Sequence, residues 1–174
     1  MTARQLSYDC VGVTVRSELV PTAGFRAFER SVRVGTGEEG WRRAGQELFA
    51  WAVKTRSGFA VQDAGRDVAG RAEVGVDYWL AARLGPWRVR EPVRVVAIVD
   101  EPDRIGYAYG TLEGHPISGE EAFLLSRRDD GSVWFTLRSI TRAPTSGRWR
   151  VLFPAVLVAQ RYYRRRYLKA LVAN

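Results

Sequence analysis

The chain has one cysteine and one histidine in 174 residues. A lone cysteine, Cys10, excludes an intrachain disulfide, and Cys10 with His115 cannot close a zinc site of the usual Cys/His kind. Neither a metal nor a cofactor is expected. Cys10 reads as a small apolar residue on a first strand, since a nucleophilic thiol would need a base brought to it by the fold. Long apolar runs are also missing: no stretch approaches the roughly 20 residues that span a bilayer. The start, MTARQLSYDCVG, has no basic segment followed by an apolar block. These absences predict a cytoplasmic protein without a transmembrane segment. No repeat, low-complexity tract or linker divides the chain, which reads as one domain over residues 1–174.

What is present is ordinary in bulk. Hydrophobic residues make up 46% and charged residues 26%, as in folded globular proteins, so disorder is not the default. The net charge of +8 would ease approach to phosphate. It is nearly all arginine and spread from Arg4 to Arg166, so no specific nucleic-acid partner follows from it.

Val11 to Val20 is β-rich and ends at Pro21, which predicts an opening strand, and Ala27 to Val32 suggests a short helical turn. A helix follows Thr36, with Glu38 and Glu39 near the positive end of its dipole and Trp41, Ala44, Leu48, Trp51 and Ala52 on one face. Gly35 to Gly37 looks superficially like a phosphate cradle but lacks the lysine of a P-loop, and reads as the loop leading into that helix. From Gly58 to Arg142 the period changes to two. Six strands are predicted: Phe59–Gln62, Val74–Ala82, Arg88–Asp100, Ile105–Leu112, Glu120–Ser126 and Val133–Thr141. Turns fall at Glu101, Pro102 and Asp103 and at Asp129, Asp130 and Gly131.

The chain ends in the helical run LFPAVLVAQRYYRRRYLKALVAN, with Pro154 suited to a first turn. Val156, Ala159, Tyr163, Tyr167, Ala170 and Leu171 share a face, and the cluster Arg164 to Arg166 reads as solvated. Strand, helix, six strands and long helix is the order of an α+β helix-grip fold, a curved antiparallel sheet of about seven strands around a C-terminal helix.

Most of the chemistry is concentrated in YAYGTLEGHPISGEEAF, Tyr107 to Phe123. Alternation places Tyr107, Tyr109 and Thr111 on one face of a strand and Gly106, Ala108 and Gly110 on the other, so the bare face would let another element approach closely. Pro116 biases His115 toward extended backbone at a loop rim. Glu120 and Glu121 must point to opposite faces, and parity does not choose which one joins a cavity. A carboxylate beside His115 would raise the imidazole pKa and burial would lower it, allowing acid–base work near neutral pH.

The residues Tyr109, Gly110, Thr111, Gly114, His115, Pro116, Gly119, Glu120 and Glu121 carry a resemblance to domain-of-unknown-function family 1990, found in bacteria and plants. It extends to Tyr8, Gly12, Trp51, Gln160 and Tyr167. That family resembles the Bet v 1 and START superfamily of lipid carriers, hormone receptors and polyketide cyclases. The resemblance implies a cavity between the sheet and the last helix and no single activity. Ile140 to Trp149 departs from its pattern, so the cavity mouth there should differ.

Two functions fit. One is binding of a small hydrophobic or amphipathic molecule through Tyr107, Tyr109, Thr111, His115, Glu121, Tyr163 and Tyr167. The other is a cofactor-free cyclase, dehydratase or isomerase with His115, Glu120 and Glu121 as candidate catalytic residues, one glutamate joining the histidine as acid and base. A third reading is a basic adaptor for RNA or anionic lipid.

Overall fold

The computed structural model of the protein describes residues 4–63, 66, 67, 70–84 and 87–172. An eight-stranded antiparallel sheet is built from β1 (Arg26–Thr36), β2 (Phe59–Asp63), β3 (Arg66–Asp67), β4 (Asp77–Leu84), β5 (Trp87–Glu101), β6 (Arg104–Thr111), β7 (Ser118–Arg127) and β8 (Ser132–Arg142). The order across it is β1-β8-β7-β6-β5-β4-β2-β3, so the run from β4 to β8 is a meander of sequence neighbours. The helices are α1 (Gly37–Phe49), α2 (Ala52–Thr55) and α3 (Arg148–Lys169). This is the helix-grip arrangement.

Both predicted turns form. Gly131 closes the β7–β8 hairpin at φ 76°, and Asp130 Oδ1 accepts from the Ser132 backbone N–H at 2.9 Å. Each predicted strand after Gly58 is present with shifted ends, and the two-residue β3 is additional.

Two N-terminal expectations are corrected. Val11 to Val20 is no strand; it holds one 3-10 turn, Val13–Val15, after Gly12 at φ 81°. The Gly12 and Thr14 N–H groups, which a strand would give to a ladder, donate instead to the Glu120 carboxylate at 2.7 and 3.0 Å. Cys10 therefore lies in irregular chain, packed against the small cluster of Tyr8, Val13 and Ile140, where burial pushes its thiol pKa up. Ala27 to Val32 is part of β1, paired with β8 from Arg26↔Thr141 to Thr36↔Ser132. Its alternation of Phe28, Arg30 and Val32 is a strand period, too short in sequence to be told from a helical turn.

The sheet buries both faces differently. Its inner face, under the helices, contributes Tyr107, Phe123 and Phe135 to the main core, against Leu48, Trp51 and Leu171 from the helical segments. Its outer face carries Val99, Ala108, Ala122 and Leu124, with the N-terminal segment laid across it. A Cβ at Gly110 would come 2.4 Å from the Tyr8 hydroxyl oxygen, so the bare face of β6 is what permits that segment to lie so close.

The long helix begins earlier than its proline suggests. α3 starts at Arg148, so Pro154 lies inside it rather than in its first turn. The ring supplies no N–H for the carbonyl four residues back, at Arg150. The last two residues of the predicted helical run, 173 and 174, lie outside the described residues.

Candidate functional site

Register settles the two glutamates. Tyr109 pairs with Glu121 and Gly110 with Glu120, so Glu121 shares the inner face with the tyrosines and Glu120 shares the outer face with the glycines. The Glu120 carboxylate is taken up by the N-terminal segment, accepting from the Tyr8 hydroxyl at 2.6 Å, the Gly12 and Thr14 N–H groups and the Thr14 hydroxyl. Its acceptor capacity goes to holding that segment down, which removes it as the partner of His115.

Glu121 meets a residue that periodicity does not reveal. Lys54 is 1% exposed, and its Nζ donates to Glu121 Oε2 at 3.0 Å and to the Tyr167 hydroxyl at 2.8 Å. The Tyr109 hydroxyl donates to the same carboxylate oxygen. The rings of Tyr167, Phe59, Tyr109 and Phe123 surround the ammonium with centroids at 4.1, 4.9, 5.0 and 5.4 Å.

Lys54 reaches this place because the helix breaks. Continued regularly, α1 would carry position 54 about 120° around its axis from Leu48, away from the core. Trp51 at φ 61°, ψ 19° ends α1 and restarts the chain as α2, turning Lys54 inward. The signal in the sequence is compositional: in a chain of 27 basic residues only Lys54 and Lys169 are lysines, and Lys54 stands three residues after Trp51.

On the other side of the site are His115 and Glu91 of β5. The Ile117 N–H donates to His115 Nδ1 at 2.9 Å, which places the imidazole proton on Nε2. Nε2 lies 3.8 Å from Glu91 Oε2, too far for a hydrogen bond. Of the two opposing effects expected on His115, burial prevails: helped by Lys54, it pushes the pKa down to about 3, well below neutrality. Glu91 is pushed up to about 7 by burial, with Lys54 opposing and Glu121 adding to the rise.

These two shifts have opposite signs in stability. From about pH 4.5 to pH 6.5 the folded chain holds more proton at Glu91 and less at His115 than the unfolded chain, so the two slopes offset. Glu91→Gln removes the falling contribution. Urea denaturation across that range should then show stability rising with pH by up to about 1.4 kcal/mol per unit relative to wild type. Equal slopes in the two proteins would refute the assignment.

Lys54, Glu91, Tyr109, Thr111, His115, Glu121, Tyr163 and Tyr167 border one cavity of about 100 Å³ between the sheet and α3. Tyr107 does not reach it; its ring packs among Phe49, Trp51 and Phe123 and its buried hydroxyl has no partner among the described residues. The Thr111 hydroxyl is spent within the hairpin, receiving the Gly119 N–H at 2.9 Å and sharing 2.6 Å with the Ser7 hydroxyl. Arg164, expected on a solvated face, turns inward, donates to Ser139 Oγ at 2.7 Å and lies over the Phe28 ring at 4.1 Å. Trp149, from the segment where the mouth was expected to differ, lines the cavity together with Val156 and Gln160.

The family model described as domain of unknown function (DUF1990) matches residues 7–170, which include every part of this site. The chain belongs to that family. A UPF0548 protein of Deinococcus radiodurans is 38% identical over 162 residues, covering 84% of this chain and 77% of that one. A UPF0548 protein of Arabidopsis thaliana is 29% identical over 159 residues, 87% of this chain and 74% of its own. Among solved structures, hypothetical protein jhp0584 of Helicobacter pylori is similar at TM-score 0.61 and 13% identity, covering 99% of this chain and 96% of its own. Ara h 8.0201 is similar at TM-score 0.52 and 12% identity, covering 87% and 100%. The fold of this DUF1990 protein is thus Bet v 1-like. Among the described residues no helix is long and apolar enough to cross a membrane.

Proposed function

We propose that the protein binds a small amphipathic molecule in the cavity under α3, with the polar end of the ligand against Glu91, His115 and the Lys54–Glu121 pair. The observation that carries this reading is unspent polar capacity. The Glu91 carboxylate and the His115 Nε2–H face each other at 3.8 Å, and among the described residues neither is hydrogen-bonded to the other or to a third group. Buried polar groups are normally satisfied, so a ligand hydroxyl placed between them, accepting from the Nε2–H and donating to the carboxylate, would supply what both lack. Phe59, Tyr163 and Tyr167 offer apolar faces for the rest of the molecule.

The size of the cavity bounds the ligand. About 100 Å³ is below the roughly 300–1,000 Å³ of the usual drug-sized site. A compact ligand fits this space, and a longer one would leave part of its tail outside it.

Ala159→Trp places a large ring in the cavity. It should abolish binding of small hydroxylated aromatics, tested by calorimetry with a phenol and naphthol series, while circular dichroism stays unchanged. Equal affinities in the folded variant and wild type would sink the proposal.

One observation favours a second reading, a cofactor-free isomerase, dehydratase or cyclase. A carboxyl titrating near neutrality beside a neutral imidazole donor suits proton transfer next to a carbonyl. Glu91 would take the proton, His115 Nε2–H would hydrogen-bond the developing oxyanion, and Lys54 would hold Glu121 and Tyr109 in place. Under this reading Glu91→Gln keeps binding and loses turnover; under the first there is no turnover to lose.

A further inference from the structure

The middle of α3 is largely apolar on two sides. Val156, Ala159, Gln160 and Tyr163 face the cavity. On the opposite side Val151, Ala155, Val158 and Tyr162, spaced by four, three and four residues, form a continuous outward stripe. Val151 is 80%, Val158 65% and Tyr162 53% exposed, and Leu152 at the stripe's edge is 47% exposed. Such a run of apolar side chains on a water-facing helix marks a contact surface rather than scattered exposure.

The charge around the stripe is of one sign. No aspartate or glutamate occurs after Asp130, so α3 contains none. Arg148 and Arg150 lie at one end of the stripe, and Arg165, Arg166 and Lys169 at the other, with Arg161 along its flank; all are exposed. Arg161 and Arg165 make no ion pair or hydrogen bond among the described residues.

We infer that the outward face of α3 docks on an anionic lipid surface, with Val151, Ala155, Val158 and Tyr162 entering the interface and the flanking arginines lying among the headgroups. A basic amphipathic helix lying in the plane of a bilayer has this composition: apolar stripe, cationic rim and no acidic residue. Two other occupants fit less well. A second copy of this chain would bring two all-basic helices together across a two-fold axis, setting arginine against arginine at both ends of the stripe. A nucleic acid would answer the arginines and leave the central valines unused. The cavity lies on the other side of the same helix, so docking leaves α3 between the cavity and the lipid. The inference does not depend on what the cavity holds.

Vesicle flotation tests it. Wild-type protein should float with vesicles of equal parts phosphatidylcholine and phosphatidylserine and not with phosphatidylcholine alone, and added salt should release it. Val151→Asp/Val158→Asp should weaken binding by at least about tenfold, and Arg161→Gln/Arg165→Gln by about twenty-five-fold at low salt, near fivefold per arginine. Val74→Asp, at an exposed valine that is 56% accessible and not on α3, should bind as wild type does, and circular dichroism of every variant should be unchanged. The inference is overturned if wild type fails to float with the anionic vesicles at low salt or floats equally with neutral ones. It is equally overturned if the double-aspartate variant binds like wild type. A dimer that the aspartates dissolve, without flotation, would assign the stripe to self-association. Salt-sensitive RNA binding that the aspartates leave untouched, without flotation, would assign the arginines to nucleic acid.

Discussion

Lys54→Met lowers the unfolding free energy by about 3–5 kcal/mol in urea denaturation, a large part of the stability of an ordinary domain. The apolar stem of lysine is matched by methionine, so little packing is lost. What changes is Glu121, 12% exposed, which loses the cation at 3.0 Å and retains only the Tyr109 hydroxyl. A buried carboxylate without its partner costs far more than the pair contributes, because both desolvation penalties were met by mutual attraction and one remains. The double variant Lys54→Met/Glu121→Gln should therefore recover most of the loss, since the buried charge disappears with its partner. A double variant as unstable as the single would mean that Lys54 acts through its contacts with Phe59, Tyr109, Phe123 and Tyr167 and not through Glu121.

The parts of the fold that were legible in the sequence are those governed by neighbours in the chain. Turn chemistry at Pro102 and Gly131 and alternation along β6 involve residues a few positions apart, and they point to the meander and the inward tyrosines directly. What was misread depends on partners far away. Val11 to Val20 has strand composition, yet its N–H groups bond a carboxylate more than a hundred positions on; Ala27 to Val32 is a strand because β8, at the other end of the sheet's sequence, pairs with it. The choice between Glu120 and Glu121 belongs to the same class. Parity says that they diverge, and only the register against Tyr109 and Gly110 says which goes where.

The site was legible by half for a related reason. Tyr109, His115, Glu121 and Tyr167 carry residue types that invite notice, and all four border the cavity. Glu91 stands between Arg90 and Pro92 in a strand, β5, with three arginines, where a glutamate looks like a surface counter-charge. Its position beside His115 comes from the β5–β6 pairing, in which Val93 lies opposite Thr111 and the hairpin loop folds back toward β5. Lys54 was hidden by a local conformation that no periodicity contains.

That conformation leads to an unusual stability order at position 51. In a regular helix glycine is about 1 kcal/mol worse than alanine. Trp51 holds φ 61°, a region that costs a non-glycine residue roughly 1–3 kcal/mol, and no other non-glycine residue among those described has positive φ. The strain is sustained by packing, since the indole is 1% exposed with Tyr78, Tyr107 and Tyr109 at centroid distances of 4.8, 5.0 and 6.4 Å. Trp51→Ala removes those contacts while keeping the strained backbone, and should cost about 3–5 kcal/mol or more. Trp51→Gly removes the same contacts and relieves the strain, so it should equal or exceed the alanine variant in stability. Alanine above glycine by the usual margin would show that α1 and α2 close into one regular helix once the indole is gone. Lys54 would then swing out of the core, and Glu121 would be stranded as in Lys54→Met.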